Sequence, residues 1–254
     1  MAVIAVFNQK GGVGKTTTCL NVTAALSILQ QSPIAIDLDP QGHLTLSCGI
    51  KGVRPENSIA GFFKQKTPLV NLLCDTPRGW QAIPASLELA KIDAMLGSDP
   101  QAANLLKRGL NEELALTGAP ILIDCCPMLG VLTLNALLAS DRVLIPVSAD
   151  FLSLQGVNRL DSALNVLEAK LNRKIERRIV VTRFDSRRRL SFEIYEKLRT
   201  RFGDTVCTTR ISETVGLATS PMHGQDIFEY APRSPGSVDY HALTQELWDS
   251  NFFK

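Results

Sequence analysis

Short apolar runs alternate with helix-spaced apolar positions along the whole chain. The first run, "AVIAVF", has an apolar side chain at every position, so it reads as a strand buried on both faces. Strands are predicted at residues 3–7, 34–37, 80–83, 120–124, 143–147, 178–182 and 205–209. Between them the spacing predicts helices over residues 16–30, 102–116, 132–139, 156–171, 191–202 and 238–248. In the fourth of these Val157, Leu160, Leu164, Leu167 and Leu171 form one face. Strands that are apolar end to end and separated by helices imply an α/β fold. Its mostly parallel twisted sheet should carry helices on both faces, with ligands at the carboxyl ends of the strands. "YAPRSPGS" reads as a surface loop before the last helix.

Composition changes this picture little. The chain has 254 residues, 45% hydrophobic and 20% charged, which suits one domain over residues 1–254. Six cysteines occur with no C-x-x-C, so they are expected to be reduced, buried and inert. "MAVIAVF" is too short and lacks the basic flank of a secretion signal, and no apolar run is long enough to span a membrane. Net charge is only +2, but residues 173–210 hold twelve Lys/Arg against five Asp/Glu. That segment is expected to offer a local surface for a polyanion.

The chemistry is concentrated at strand ends. "FNQKGGVGKTTT" follows the first strand and opens the first helix, the context of a phosphate-binding loop. Glycines let backbone N–H groups turn toward phosphate oxygens, and the helix N-terminus adds positive potential. Lys15 is expected to reach the β- and γ-phosphates, and Thr16 to ligate Mg²⁺, which makes ATP and Mg²⁺ the expected cofactors. Asp37 and Asp39 end the second strand and Asp124 ends another. Carboxylates there can handle a metal ion and an attacking water, although helix capping and turn formation use the same residue type.

The loop departs from G-x-x-x-x-G-K-[ST]: Lys10 occupies the position of the first glycine. K-G-G-V-G-K-T-T is the deviant Walker A motif, and with "DLDPQG" and "DCCP" it makes the chain resemble the ParA/MinD family of ATPases. The resemblance covers nearly the whole length and is weakest over residues 51–117. It implies nucleotide contacts from Lys10, Gly11, Gly12, Val13, Gly14, Lys15, Thr16 and Thr17. It implies a catalytic Lys10 that crosses a homodimer interface to the partner's nucleotide, so that two ATP molecules are sandwiched. It further implies catalytic roles for Lys15 and for Asp39, which orients the attacking water. Thr16, Asp39 and Asp124 are the implied metal site, Asp124 acting through a water. Asp37 is expected to be structural, helping Lys15 or the strand end. Gln41 and Gly42 fit a nucleotide-sensing switch loop, and Asn135 is placed toward the dimer partner. Where the family commonly has D-C-P-P, Cys126 replaces a proline. His43 stands where asparagine is common and is expected to be a loop residue.

In the basic segment, Arg183, Arg187, Arg188 and Arg189 surround a helix start, where positive charge opposes the helix dipole. One reading is a phosphate-binding surface; the other is a solvated loop balanced by Asp185 and Glu193. The ParA branch has a basic residue in the corresponding loop that binds double-stranded DNA without sequence preference, and Arg187 aligns with it. Ser212, Glu213 and Gly216 depart from that branch, replacing a proline and two basic positions.

The implied function is a slow, Mg²⁺-dependent ATP hydrolase of the ParA (Soj-like) branch, cytoplasmic and nucleoid-associated. It would be stimulated by a ParB-like or other cargo-borne partner and would partition DNA or position a large assembly. The competing reading is a MinD-like membrane-associated or protein-only ATP switch. "HALTQELWDSNFFK" carries two acids and one lysine, a poor match to anionic lipid, and Trp248 is expected to be core.

Overall fold

The computed structural model describes residues 2–97 and 101–254. Among the described residues eight strands form one sheet: β1 (Val3–Val6), β2 (Ile34–Leu38), β3 (Cys74–Asp75), β4 (Gln81–Ile83), β5 (Ile121–Cys125), β6 (Arg142–Ser148), β7 (Glu176–Phe184) and β8 (Val206–Ser212). Their order is β3-β4-β2-β5-β1-β6-β7-β8. Every pairing is parallel except β3 with β4. This is the P-loop NTPase fold.

Helices cover both faces, and the strands explain why. Along β1, Val3 and Ala5 enter one apolar cluster while Ile4 and Val6 enter the other. With period 2 and no polar side, such a strand is stable only when covered above and below. One face receives α1 (Lys15–Ile28), α2 (His43–Ser47), α9 (Val215–Thr219), α10 (Ile227–Tyr230) and α11 (Pro235–Asp249). Cys19, Leu20, Val22 and Leu26 of α1 pack there with Tyr240, Leu243 and Leu247 of α11. The buried polar residues of α1 are satisfied: Thr18 Oγ1 lies 3.1 Å from the Tyr240 hydroxyl, Asn21 Oδ1 accepts from the Ile227 amide at 2.8 Å, and Thr23 Oγ1 donates to the Cys19 carbonyl at 2.7 Å. The opposite face receives α3 (Ile59–Gln65), α4 (Leu89–Leu96), α5 (Leu105–Gly109), α6 (Val131–Ala139), α7 (Phe151–Leu171) and α8 (Arg189–Phe202). The expected α7 stripe packs on this side, with Val157, Leu160 and Leu164 buried and Leu167 and Leu171 half-buried.

Two sequence expectations need correction. The helix expected over residues 102–116 is broken into a 3₁₀ turn at Ala102–Asn104, α5, a π-helical turn at Leu110–Leu114 and a second 3₁₀ turn at Ala115–Thr117. Gly109 lies against the Phe62 ring, where a Cβ would come within 2.7 Å, so the chain takes the geometry that the contact with α3 allows. Asn135 does not face outward. It is fully buried, accepts from the Leu106 amide at 2.9 Å and donates to the carbonyls of Ala102 and Val131. It therefore fixes this broken segment onto α6.

At the end of the chain Phe252 and Phe253 are buried, and Trp248 packs partly buried beside them. The apolar side chains after α11 thus belong to the core. Among the described residues no helix is long and apolar enough to cross a membrane. All six cysteines are free thiols; five are buried and Cys74 is half-buried.

Candidate nucleotide site

Strand order reverses at β1, with β5 on one side and β6 on the other. A crevice opens at the carboxyl ends of strands where the order reverses, and the glycine loop leaves β1 there. Its shape is set by short-range bonds. Asn8 is buried, its Nδ2 donating to the Pro146 carbonyl at 2.8 Å and its Oδ1 accepting from the Lys10 amide at 3.0 Å. Gly14 begins α1 at φ 84°, a left-handed conformation that a side chain would strain. Thr182 Oγ1 of β7 donates to the Val13 carbonyl at 2.8 Å and ties the loop to the sheet. Sequence reasoning missed Thr182, because a threonine at the end of an apolar strand carries no motif.

Lys15 is buried and its Nζ donates to the Lys10 carbonyl at 3.0 Å, folding back over the loop. Burial lowers its pKa, and the charges of Asp124 and Asp39 oppose that shift. Thr16 Oγ1 donates to Asp124 Oδ2 at 2.7 Å. The other carboxylate oxygen, Asp124 Oδ1, is buried and lacks a protein partner among the described residues. Burial and the nearby Asp37 push the Asp124 carboxyl well above the usual range. A buried, half-satisfied carboxylate beside a threonine hydroxyl fits a hard cation that completes its shell with phosphate and water, as Mg²⁺ does. Among the described residues no cluster of three His, Cys, Asp or Glu could hold a metal without such help.

Asp37 does not reach Lys15. Its carboxylate accepts from the Thr45 amide and hydroxyl, at 2.8 and 2.6 Å, and from the Asp39 amide at 3.2 Å. Burial raises its pKa in spite of those bonds. It organises the strand end and the start of α2, the structural role expected of it. Asp39 is half-buried and its Oδ1 accepts from the Gln41 amide at 2.9 Å, closing the turn into Gly42. Gly42 starts α2 at φ 64°, and His43 is exposed in the first turn of that helix.

Lys10 points away from the glycine loop. Its Nζ lies 2.6 Å from both oxygens of Asp150, which caps α7, and 3.1 Å from Ser153 Oγ. Ser148 Oγ also donates to Asp150, at 2.6 Å. Burial pushes the Asp150 carboxyl up, but the bonds from Lys10, Ser148 and Ser153 outweigh it and hold the pKa at about 2.

Beside the loop lies a cleft of about 310 Å³ lined by Gly12, Thr17, Arg183, Glu213, Thr214 and Leu217, among others. The sequence groups Arg183 with Arg187, Arg188 and Arg189, and the structure places it in the lining of this cleft. Arg183 donates to Glu213 at 2.8 and 3.0 Å and to the Gly12 carbonyl at 3.4 Å, so it belongs to the cleft wall. Arg187, Arg188 and Arg189 do cluster at the start of α8 and are strongly exposed.

These parts define a P-loop ATPase with a second lysine in its loop. A family model described as an AAA domain matches residues 1–177. The chain is 37% identical to the chromosome-partitioning ATPase Soj of Thermus thermophilus, covering 96% of this chain and 94% of that one. It is 34% identical to the sporulation initiation inhibitor protein Soj of Bacillus subtilis, covering 96% and 97%. Among solved structures, cobyrinic acid a,c-diamide synthase from Mycobacterium smegmatis with bound ADP and magnesium superposes with a TM-score of 0.84 at 29% identity, covering 99% of this chain and 96% of that one. The chain belongs to the ParA/MinD family of ATPases.

Proposed function

We propose that this protein is a Mg²⁺-dependent ATP hydrolase whose ATP-bound form dimerises, holds duplex DNA without sequence preference and so partitions or positions a cargo. The observation that carries the reading is the loop itself. Lys15 folds back over it and Thr16 bonds Asp124 at its end, Gly12, Gly14 and Thr17 of the same stretch line the neighbouring cleft, and Lys10 is held by Asp150 of α7.

In this reading Lys15 and the loop amides hold the phosphates, Thr16 and Asp124 hold the metal ion, and Asp39 orients the attacking water. The metal ion supplies charge neutralisation at the phosphates. Lys10 exchanges Asp150 for the phosphates of the partner subunit's nucleotide. Leu129 and Leu134 are exposed and line a mainly apolar cleft with Leu160, Ala163 and Leu164 of α7, the helix that Asp150 caps, which supports a dimer face on that side. Arg187, Arg188 and Arg189 supply positive charge for DNA. A cargo-borne partner stimulates hydrolysis, the dimer opens, and DNA is released in the cytoplasm.

The test is phosphate release with Mg²⁺-ATP, together with binding to random-sequence duplex DNA in ATP and in ADP. Slow hydrolysis, with DNA binding in ATP only, supports the whole reading. Hydrolysis without DNA binding at any salt concentration leaves a protein-only switch.

A further inference from the structure

The basic surface around α8 holds its arginines in two different ways. Arg187 and Arg188 both face the Asp185 carboxylate, at 2.9 and 3.2 Å, and Arg189 faces Glu193 at 2.8 Å. Those guanidiniums already have an acid partner, so a phosphate must compete for them. Arg210, on the edge strand β8, has no ion pair and no side-chain hydrogen bond with any described residue. Its guanidinium carbon lies 4.7 Å from the centre of the Phe184 ring, 5.0 Å from Tyr195 and 5.9 Å from Phe192. Phe184 and Phe192 meet edge to face at 5.0 Å, which stiffens the platform.

Ring faces attract a cation without accepting its N–H groups in ordinary hydrogen bonds. Arg210 is thus fixed in place with its fork of donors unspent. Oriented this way, it loses less side-chain freedom on meeting a phosphate than a free arginine does. The platform joins Phe184, one residue before Asp185, to Phe192, three residues after Arg189, so Arg210 adjoins the paired arginines. Residues 183–210 hold seven arginines and one lysine, a bias toward the fork that matches phosphate oxygens.

We propose that Arg210, seated on Phe184, Phe192 and Tyr195, is the anchoring phosphate contact of a duplex-DNA surface, with Arg187, Arg188 and Arg189 as its acid-screened periphery. This rests on the DNA reading above. The backbone phosphates are its ligand, so no base preference is expected.

The experiment is fluorescence anisotropy of random-sequence duplex DNA with the full chain and Mg²⁺-ATP across a salt series. The variants are Arg210→Gln, Arg210→Lys and Phe192→Ala, with thermal melts and basal ATP hydrolysis as controls. Arg210→Gln should weaken binding about tenfold and reduce the log–log salt slope by about 0.9, the loss of one phosphate contact. Arg210→Lys should keep the slope and lose part of the affinity. Phe192→Ala should weaken binding about threefold with the slope unchanged, because every charge is still present. If the wild type binds no DNA at any salt concentration, the DNA reading itself fails. If it binds and Arg210→Gln keeps both affinity and slope, the assignment of Arg210 fails and the DNA reading stands. Loss of affinity in Arg210→Gln that follows a lowered melting point, without a change of slope, makes Arg210 a packing residue and overturns the proposal. So does a surface that takes polyglutamate in preference to DNA.

Discussion

Lys10 and Lys15 share one loop and live in opposite environments. Lys15 is 8% exposed, without an ion-pair partner among the described residues, and its charge is supported by two carboxylates at longer range. A buried ammonium of that kind is maintained for a ligand it meets when the site fills. Lys15→Ala should abolish ATP binding and hydrolysis without unfolding the chain, measured by calorimetric titration of ATP and by phosphate release; retained turnover would refute the role. Lys10, with its side chain one-third exposed, is tied to Asp150. The sign of the resulting pH dependence follows from the lowered Asp150 pKa. A depressed carboxylate adds stability above its unfolded pKa of about 3.9, and that stability is lost as pH falls toward about 2. Asp150→Ala should therefore flatten the acid limb of the stability curve between about pH 4 and 2. At neutral pH it should cost about 1 kcal/mol, because the α7 cap goes with it. Urea titrations at several pH values measure both. An unchanged acid limb would show that the pair contributes nothing.

At the level of elements, legibility tracked how local each constraint was. The seven predicted strands all exist; in β1, β5 and β6 burial on both faces writes a nearly continuous apolar run that needs no knowledge of neighbours, while the edge strand β8 keeps only a short apolar pair, Val206 and Cys207. β3 is two residues long and pairs antiparallel at the sheet edge, too short to leave a pattern. The broken segment around α5 was unreadable because Phe62, some 47 positions earlier, decides it. Lys10 has the same difficulty, since Asp150 lies 140 residues away in sequence. The acid partners of Arg187 and Arg189 lie within four residues and could be anticipated; the aromatic seat of Arg210 could not. The Gly109 contact gives a prediction at this scale. Gly109→Ala should cost about 1–3 kcal/mol through overpacking against Phe62. In a Phe62→Leu background the same substitution should cost less, because the ring is no longer in the way. Denaturant midpoints of the four proteins give the coupling, and strict additivity would mean that the ring does not set the local geometry.

For the whole molecule, the central question is how one chain becomes two. The pair between Lys10 and Asp150 satisfies within one protomer the lysine that the proposed dimer needs across the interface. Binding of a nucleotide must then supply more than that partly exposed pair is worth, and such pairs are worth about 0–1 kcal/mol. The threshold is low, so ATP can shift the equilibrium by a modest preference for the dimer. Three variants separate the steps. Lys10→Ala should bind ATP yet sediment as a monomer, because the trans contact is gone. Asp39→Ala should hold ATP and accumulate as a dimer, because the water is no longer oriented. Asp150→Ala should dimerise at lower ATP concentration than the wild type, because Lys10 starts unpaired. Analytical ultracentrifugation with ATP and Mg²⁺ reads all three. Normal dimerisation by Lys10→Ala would confine that lysine to its own protomer, and the loop would then have to be explained by the contact with Asp150 alone.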